Sequence, residues 1–237
     1  KKDRMSAYIK RLLVLYLFYT VLHIGLIFKS YNEDGIMGVD KITIFLKDFF
    51  LKGIYVHLWY LPALAIAAGI CYLLMERLKR NEKEIMVLAV LCYGFGVLVN
   101  AYSPFFEQNP FLNGVITSYK TVFETTRNGV FFGFPYVFWG IFLKKHIHKI
   151  EIKKKSSFLW MLLICLFFMS VEAYLLRAFT FQENFSMLFM TPITVCVMFL
   201  GLCLIDIPLR YVKTGAVMRK MSFLIYAWHM LVHKYCG

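Results

Sequence analysis

Apolar runs long enough to cross a lipid bilayer recur along this chain, separated by short polar and basic segments. A bilayer core takes about 20 apolar residues of helix. Hydrophobic residues make up 60% of the 237, above the roughly 45–50% typical of soluble domains. We therefore predict an all-α fold, a polytopic transmembrane helix bundle in one domain over residues 1–237. About seven spans are expected, near 7–28, 54–75, 85–103, 128–143, 157–177, 185–204 and 221–237.

The lysines and arginines predict an orientation for these spans. Most of the 27 lie before the first span or in alternate loops, and such clusters mark the cytoplasmic side of a membrane protein. We expect a multi-pass protein of the bacterial plasma membrane with a cytoplasmic amino terminus. The net charge of +13 is explained by these clusters, so nucleic acid is not an expected partner. Residues 42–55 mix apolar and charged side chains, which predicts a helix at the membrane interface.

The six cysteines all lie inside apolar runs, and none belongs to a CxxC pair. No cluster of Cys and His has the spacing of a zinc site. We therefore expect the cysteines to pack as small side chains, and we predict no metal.

The stretch TTRNGVFFGFPYVFWG, residues 125–140, is the most unusual in the chain. Arg127 and Asn128 stand at the mouth of an apolar helix. Gly129 and Gly133 are four residues apart, a spacing that lets another helix approach closely in lipid. Pro135 removes one backbone donor and is expected to kink the segment. A charged group at the end of a bent, closely packed helix is typical of a membrane-embedded site.

Several ionisable residues are predicted within the membrane, where each is a candidate functional group. Counted from the cytoplasmic clusters, Glu172 lies roughly 22 Å and His23 roughly 18 Å into their spans. His229 lies near the midplane. A carboxylate at that depth must be paired, protonated or hydrated, and Arg127 on the fourth span is a better-placed partner than Arg177 on the same helix. A structural ion pair, or a histidine bonded to a neighbouring helix, is the alternative.

A second dense stretch is YVHLWYLP, residues 55–62. An aromatic belt at the membrane interface explains Trp59 and Tyr60. It does not explain His57, whose imidazole is able to exchange a proton near neutral pH.

Four segments occur in an order that resembles the integral-membrane acyltransferase family, which includes the O-acetyltransferases of surface polysaccharides. They are HLWYLPAL (57–64), TRNGVFFGFPYVFWG (126–140), MLFMTPITVCVMF (187–199) and MSFLIYAWHML (221–231). The sequence is most similar to two branches, the enterobacterial common-antigen O-acetyltransferase and the membrane modules of vancomycin-resistance serine racemases. The resemblance covers essentially the whole chain.

The resemblance implies a bundle of about ten spans, of which this chain would be a fragment lacking the first two. Those two spans normally carry a histidine regarded as the catalytic base, so no residue here takes that role by alignment. Family members move an acyl group from cytoplasmic acyl-CoA to a hydroxyl of a glycan or related acceptor. The resemblance therefore implies acetyl-CoA as donor, a glycan or small hydroxyl acceptor, the bilayer as environment, and the option of an oligomer.

Acyl transfer needs a base for the attacking hydroxyl and a donor for the developing oxyanion. His57 and Arg127 match motif positions of the family, whereas Glu172 and His23 are added on physical grounds. We predict His57 and Glu172 as catalytic residues, with convergence of the second, fourth and fifth spans at the outer side. The predicted substrate-binding residues are Arg127, Asn128, Trp59, His23 and Arg177.

Two other functions fit the same residues. An outward cavity with a buried acid and an arginine also suits a transport module for a small amino acid such as L-serine. A structural assembly subunit is the third option.

Overall fold

The computed structural model describes residues 2–36, 38–54, 58–146, 155–180, 190–203 and 221. Within these ranges every regular element is helical, which confirms the all-α prediction. The eight α-helices of the described residues are α1 Lys2–Glu33, α2 Val39–Lys47, α3 Tyr60–Tyr72, α4 Glu82–Asn100, α5 Pro110–Phe123, α6 Phe134–His146, α7 Lys155–Thr180 and α8 Met190–Cys203. Wider π-helical turns at Asp48–Lys52, Leu73–Arg77 and Gly129–Gly133, and a 3-10 turn at Ser103–Phe106, extend or connect them.

Three helices of the described chain are long and apolar enough to cross a membrane: Met5–Glu33, Tyr60–Arg77 and Leu159–Ala178. They correspond to the first, second and fifth predicted spans. Helices α4, α6 and α8 overlap the third, fourth and sixth, but their crossing of the membrane stays a prediction. The seventh predicted span lies almost wholly outside the described residues. The helical class and three candidate spans are therefore supported, and the number of seven spans is not confirmed.

The chain divides into two compact units, and each is described here by itself. One comprises Lys1–Ala65 and Asp206–Gly237, and the other comprises Ile66–Ile205. In the first unit, α1 buries one stripe of side chains at intervals of three and four residues, as one face of a helix requires. The stripe consists of Leu12, Tyr16, Tyr19, Thr20, His23, Leu26, Ile27 and Tyr31.

Helix α2 and the turn after it pack against that stripe. The Tyr16 hydroxyl donates to the Phe49 carbonyl at 2.9 Å, and the Tyr31 hydroxyl donates to Asp48 Oδ2 at 2.8 Å. The predicted helix at residues 42–55 is therefore present, although it begins earlier, at Val39. Its location at the membrane interface stays a prediction.

The second unit is organised around α4. In its amino-terminal half, Ile85 and Ala89 pack against Phe134 and Phe138 of α6. In its carboxyl-terminal half and just beyond it, Tyr93, Val97 and Ala101 pack against Leu176 of α7. Helix α4 therefore touches both helices that carry candidate site residues of this unit.

The fourth predicted span starts as a π turn, so the irregular part of this helix begins before the proline at which the sequence predicts a kink. The amides of Gly133 and Phe134 donate to carbonyls five residues back, those of Asn128 and Gly129. Pro135, which has no amide hydrogen, follows this turn directly as the second residue of α6, so the helix lacks one backbone donor there. The wide turn precedes the proline.

Candidate functional site

The loop before the π turn is held by the side chain of Asn128. Its Oδ1 accepts from the amides of Val130 and Phe131, both at 3.0 Å, which is the capping arrangement of a helix amino terminus. The extended backbone of Asn128, with φ −136° and ψ 179°, is the conformation that a capping residue adopts. The RNG sequence therefore ends the loop and begins the helix at a defined residue.

The side-chain nitrogen of Asn128 is hydrogen-bonded as well. Its Nδ2 donates to the Tyr119 hydroxyl oxygen at 2.9 Å and lies 3.5 Å from the Thr125 carbonyl. Tyr119 in turn donates its hydroxyl to the Thr125 carbonyl at 3.1 Å. Asn128 is buried and committed to this network, so the geometry gives it a positioning role. A direct contact between Asn128 and substrate stays a prediction.

Thr126 attaches the same loop to α4. Its hydroxyl donates to the Gly96 carbonyl at 3.1 Å, and its side chain is only 1% exposed. A Cβ atom at Gly96 would lie 3.3 Å from Phe131 Cβ, so glycine is what allows α4 to approach the π turn so closely. Helix α4 therefore approaches the 129–133 segment closely at Gly96, and the predicted role of Gly129 and Gly133 stays a prediction.

Arg127 stands between two anchored residues. Its own backbone amide donates to Thr125 Oγ1 at 3.1 Å, while Thr126 and Asn128 on either side are buried. The Arg127 residue is half-buried. The loop thus fixes the backbone that carries the guanidinium, a group that presents five N–H donors in a planar fork.

Glu172 is buried on the inner face of α7, where it is 7% exposed. The Tyr102 hydroxyl, two residues after the end of α4, donates to Glu172 Oε1 at 2.6 Å. This distance lies at the short end of the range for an O–H···O hydrogen bond. The partner that the structure shows for Glu172 is therefore a tyrosine, and the predicted pairing with Arg127 stays a prediction.

Glu172 and Tyr102 also line a groove of about 400 Å³. Apart from these two, its described lining is apolar: Phe105, Phe168, Val171, Leu175 and Leu176. A concave apolar surface with one convergent polar pair has the composition of a ligand site.

One apolar cluster connects this groove to the region of the loop. Phe132, in the π turn that follows Arg127, packs with Tyr93 and Val97 of α4, and Leu176 of α7 belongs to the same cluster. Leu176 is one helical turn beyond Glu172. The loop that carries Arg127 and the helix that carries Glu172 are therefore braced by the same side chains within one unit.

The first unit holds two further candidates. His23 is 1% exposed on the inner stripe of α1, and its Nδ1 lies 2.8 Å from the Tyr19 carbonyl. Since a carbonyl only accepts, Nδ1 carries the hydrogen. Trp59 is half-buried, and a Cβ atom at Gly53, whose φ is 85°, would overlap the backbone of Trp59. Substrate contacts of His23 and Trp59 stay predictions.

The remaining candidates are not part of this geometry. Arg177 lies exposed in the last turn of α7, on a different face from buried Glu172, and its contact with substrate stays a prediction. His57 and His229 lie outside the described residues, so the predicted convergence of His57 with Arg127 and Glu172 is untested. Among the residues that the structure describes, no group of three His, Cys, Asp or Glu side chains is placed to hold a metal ion.

Sequence reasoning missed the two tyrosines that complete the polar contacts. Tyr102 has the appearance of an interfacial aromatic at the end of a span, and Tyr119 lies in an unremarked amphipathic helix, α5. The sequence marks them only by their position near the predicted outer boundary of the membrane, at about the same predicted depth as Glu172 and Asn128. Burial raises the pKa of Tyr119 to about 12, so this phenol stays protonated and able to donate throughout the physiological pH range.

Comparison with known proteins gives the family of this chain. A family profile described as an acyltransferase domain matches residues 5–237. The chain is 28% identical over 230 residues to an amino-acid racemase of Enterococcus faecalis, covering 97% of this chain and 31% of that protein. It is 25% identical over 198 residues to a serine/alanine racemase of Enterococcus gallinarum, covering 84% of this chain and 27% of that protein. The chain thus spans less than a third of the length of these relatives, and no solved structure matches it. Since the profile covers nearly the whole sequence, the chain belongs to this family of membrane acyltransferases.

Proposed function

We propose that this protein is a membrane-embedded O-acyltransferase. It moves an acyl group, acetyl in the simplest case, from cytoplasmic acyl-CoA to a hydroxyl of a cell-envelope glycan or related acceptor at the bacterial plasma membrane. The observation that carries this proposal is the acyltransferase profile, which extends over residues 5–237. The braced loop at Arg127 supports it, because it provides a fixed donor on a membrane-embedded scaffold.

The chemistry assigns roles to the candidate residues. The acceptor hydroxyl attacks the thioester carbonyl, its proton passes to a base, and the thiolate of coenzyme A leaves. In this proposal the Arg127 guanidinium donates to the oxyanion that forms on the carbonyl oxygen. His57 or Glu172 takes the hydroxyl proton, and Asn128 acts through Arg127 by holding its backbone.

The test is acyl transfer in proteoliposomes supplied with radiolabelled acetyl-CoA and a panel of sugars. Arg127→Ala is expected to abolish label on the acceptor. Arg127→Lys keeps the charge but not the planar fork, so it is expected to retain only part of the activity. Lys29→Ala is the matched control, since Lys29 is 62% exposed and pairs only loosely with Glu33. Full activity in Arg127→Ala would remove this residue from the site.

The racemase relatives favour a second candidate, a transport module for a small amino acid such as L-serine. Two of the similar proteins are named for amino-acid racemisation, and this chain matches only a part of each. The same proteoliposomes distinguish the two functions. Saturable uptake of labelled serine without any acyl transfer would replace the enzyme assignment with a transporter.

A further inference from the structure

The loop that carries Arg127 begins with a strained turn. Glu124 follows α5 directly with φ 57° and ψ −40°, and the Thr125 amide donates to the Phe123 carbonyl across it. A γ-turn of this hand is rare, and a residue with a side chain keeps a positive φ only where surrounding contacts hold it. The position of Arg127 therefore depends on the contacts that hold this loop.

One oxygen atom, that of the Tyr119 hydroxyl, makes two of those contacts. It accepts from Asn128 Nδ2 at 2.9 Å and donates to the Thr125 carbonyl at 3.1 Å. Thr125 and Asn128 flank the two residues between them, so the phenol joins both ends of the segment that carries the Arg127 guanidinium. The Arg127 amide is itself bonded to Thr125 Oγ1 at 3.1 Å, so a displacement of Thr125 is transmitted to Arg127.

The ring of Tyr119 is fixed by packing. It contacts aromatic rings from α4, α5 and the π turn, which are Phe95, Phe123 and Phe131, at centroid distances of 5.4, 4.9 and 5.4 Å. Aromatic pairs of this kind have preferred geometries, so the phenol oxygen is held in one place. Tyr119→Phe keeps this packing and removes only the oxygen, which separates the two hydrogen bonds from the fold of α5.

We propose that Tyr119 is a positioning residue whose hydroxyl sets where the Arg127 guanidinium lies. In this role Tyr119 acts through Thr125 and Asn128 and not by contact with substrate. The kinetic consequence rests on the proposed function, since a donor to an oxyanion must be in place before the reaction and a displacement of about 1 Å costs about 100-fold in rate. The placement of Arg127 itself does not depend on which reaction the protein performs.

The first test measures the placement of Arg127 without an assay of activity. The reagent p-hydroxyphenylglyoxal modifies arginine side chains, and mass spectrometry gives the rate at each arginine of the protein in nanodiscs. Tyr119→Phe is expected to raise the rate at half-buried Arg127 about threefold or more, because the loop is released. Arg80, whose side chain is 60% exposed, is the internal reference and is expected to keep its rate. Thr121→Val removes an exposed hydroxyl of the same helix and is expected to change neither rate.

A second variant breaks the same link from the side of the loop. Asn128→Ser keeps an oxygen that caps the π turn but removes the donor to the Tyr119 hydroxyl. It is expected to raise the rate at Arg127 as Tyr119→Phe does. Agreement between the two variants assigns the effect to the hydrogen bonds, because Asn128→Ser leaves the Tyr119 ring and its aromatic neighbours in place.

The third test uses acyl transfer in proteoliposomes and asks whether Tyr119 acts through Arg127. Tyr119→Phe is expected to lower kcat about tenfold and to leave the KM for acyl-CoA within about twofold, because a misplaced donor weakens only the transition state. Arg127→Lys supplies a flexible amine that does not need the same backbone placement. In that background the same substitution is expected to cost about twofold or less, whereas a merely structural role would lower kcat by the same factor in both backgrounds.

Three results would overturn the inference. An unchanged modification rate at Arg127 in both Tyr119→Phe and Asn128→Ser would show that the phenol does not place the guanidinium. An equal rise at Arg80 would show a general loosening of the fold. Equal kinetic factors in the two backgrounds would leave Tyr119 with a structural role only. Absence of acyl transfer in the wild-type protein would refute the proposed function, and the modification rates would still decide whether Tyr119 places Arg127.

Discussion

A substitution at Asn128 tests directly whether the side chain of this residue holds the loop before α6 in place. Asn128→Ala removes the cap on the amides of Val130 and Phe131, and such a loss costs about 1 kcal/mol. It also removes the amide donor from the Tyr119 hydroxyl oxygen, which is a partly buried contact. Leaving that oxygen without its donor costs about 1–2 kcal/mol more. The expected loss in the free energy of unfolding is therefore about 2–3 kcal/mol.

The chain provides a matched control for this prediction. Asn109 caps α5 in the same way, accepting from the amides of Phe111 and Leu112 at 3.1 Å each, but its side chain is exposed. Asn109→Ala therefore removes a cap without removing a buried donor, and a loss of about 1 kcal/mol is expected. The difference between the two variants measures what the contact with Tyr119 contributes.

The assay is equilibrium unfolding in mixed micelles by titration with sodium dodecyl sulfate, followed by circular dichroism. Both variants and the wild-type protein are measured under the same conditions, with the folded fraction checked by size-exclusion chromatography. A loss for Asn128→Ala no larger than that for Asn109→Ala would refute the reasoning. It would mean that the Asn128 amide caps a helix and does nothing else.

Two substitutions and one pH dependence test other contacts. Tyr102→Phe removes the hydroxyl that donates to Glu172 and is expected to lower the free energy of unfolding by about 1.5–3 kcal/mol, measured by the same titration. Burial raises the pKa of the Tyr119 phenol to about 12. Between about pH 10 and 12 this phenol is deprotonated in the unfolded chain but stays protonated in the folded chain. The free energy of unfolding is therefore full below pH 10 and falls as the pH rises through this window. Gly53→Ala forces a side chain into a left-handed backbone against Trp59, and thermal unfolding is expected to show a loss above about 2 kcal/mol.

Each of these changes has its own control. Tyr174→Phe alters an exposed hydroxyl on α7, and an equal loss there would show that the contact with Glu172 is not responsible. Tyr119→Phe should flatten part of the alkaline slope, and an unchanged slope would assign it to other tyrosines. Gly35→Ala shares a positive φ of 72° but meets nothing within 4 Å, so it should be the milder of the two glycine variants.

The sequence pointed to candidate site residues only where the residue type is itself unusual at that position, such as a charged group within an apolar run. Arg127 and Glu172 were singled out as candidates because charged groups are costly in lipid and stand out against apolar runs. Asn128 was found from the same stretch, but its structural use was not, because capping depends on the backbone conformation of the loop. Tyr102 and Tyr119 were missed, since a tyrosine near a membrane boundary has an ordinary explanation as an interfacial aromatic.

The sequence alone determined that this chain is helical and built for a membrane, because apolar runs of span length and the placement of lysine and arginine are local properties of the chain. Only the tertiary structure decided that Glu172 is bonded to Tyr102, 70 residues away in the chain. The meeting of Thr126 with Gly96 belongs to the same category. Such contacts depend on which helix faces pack together, and that choice is made by side chains from distant segments fitting one another.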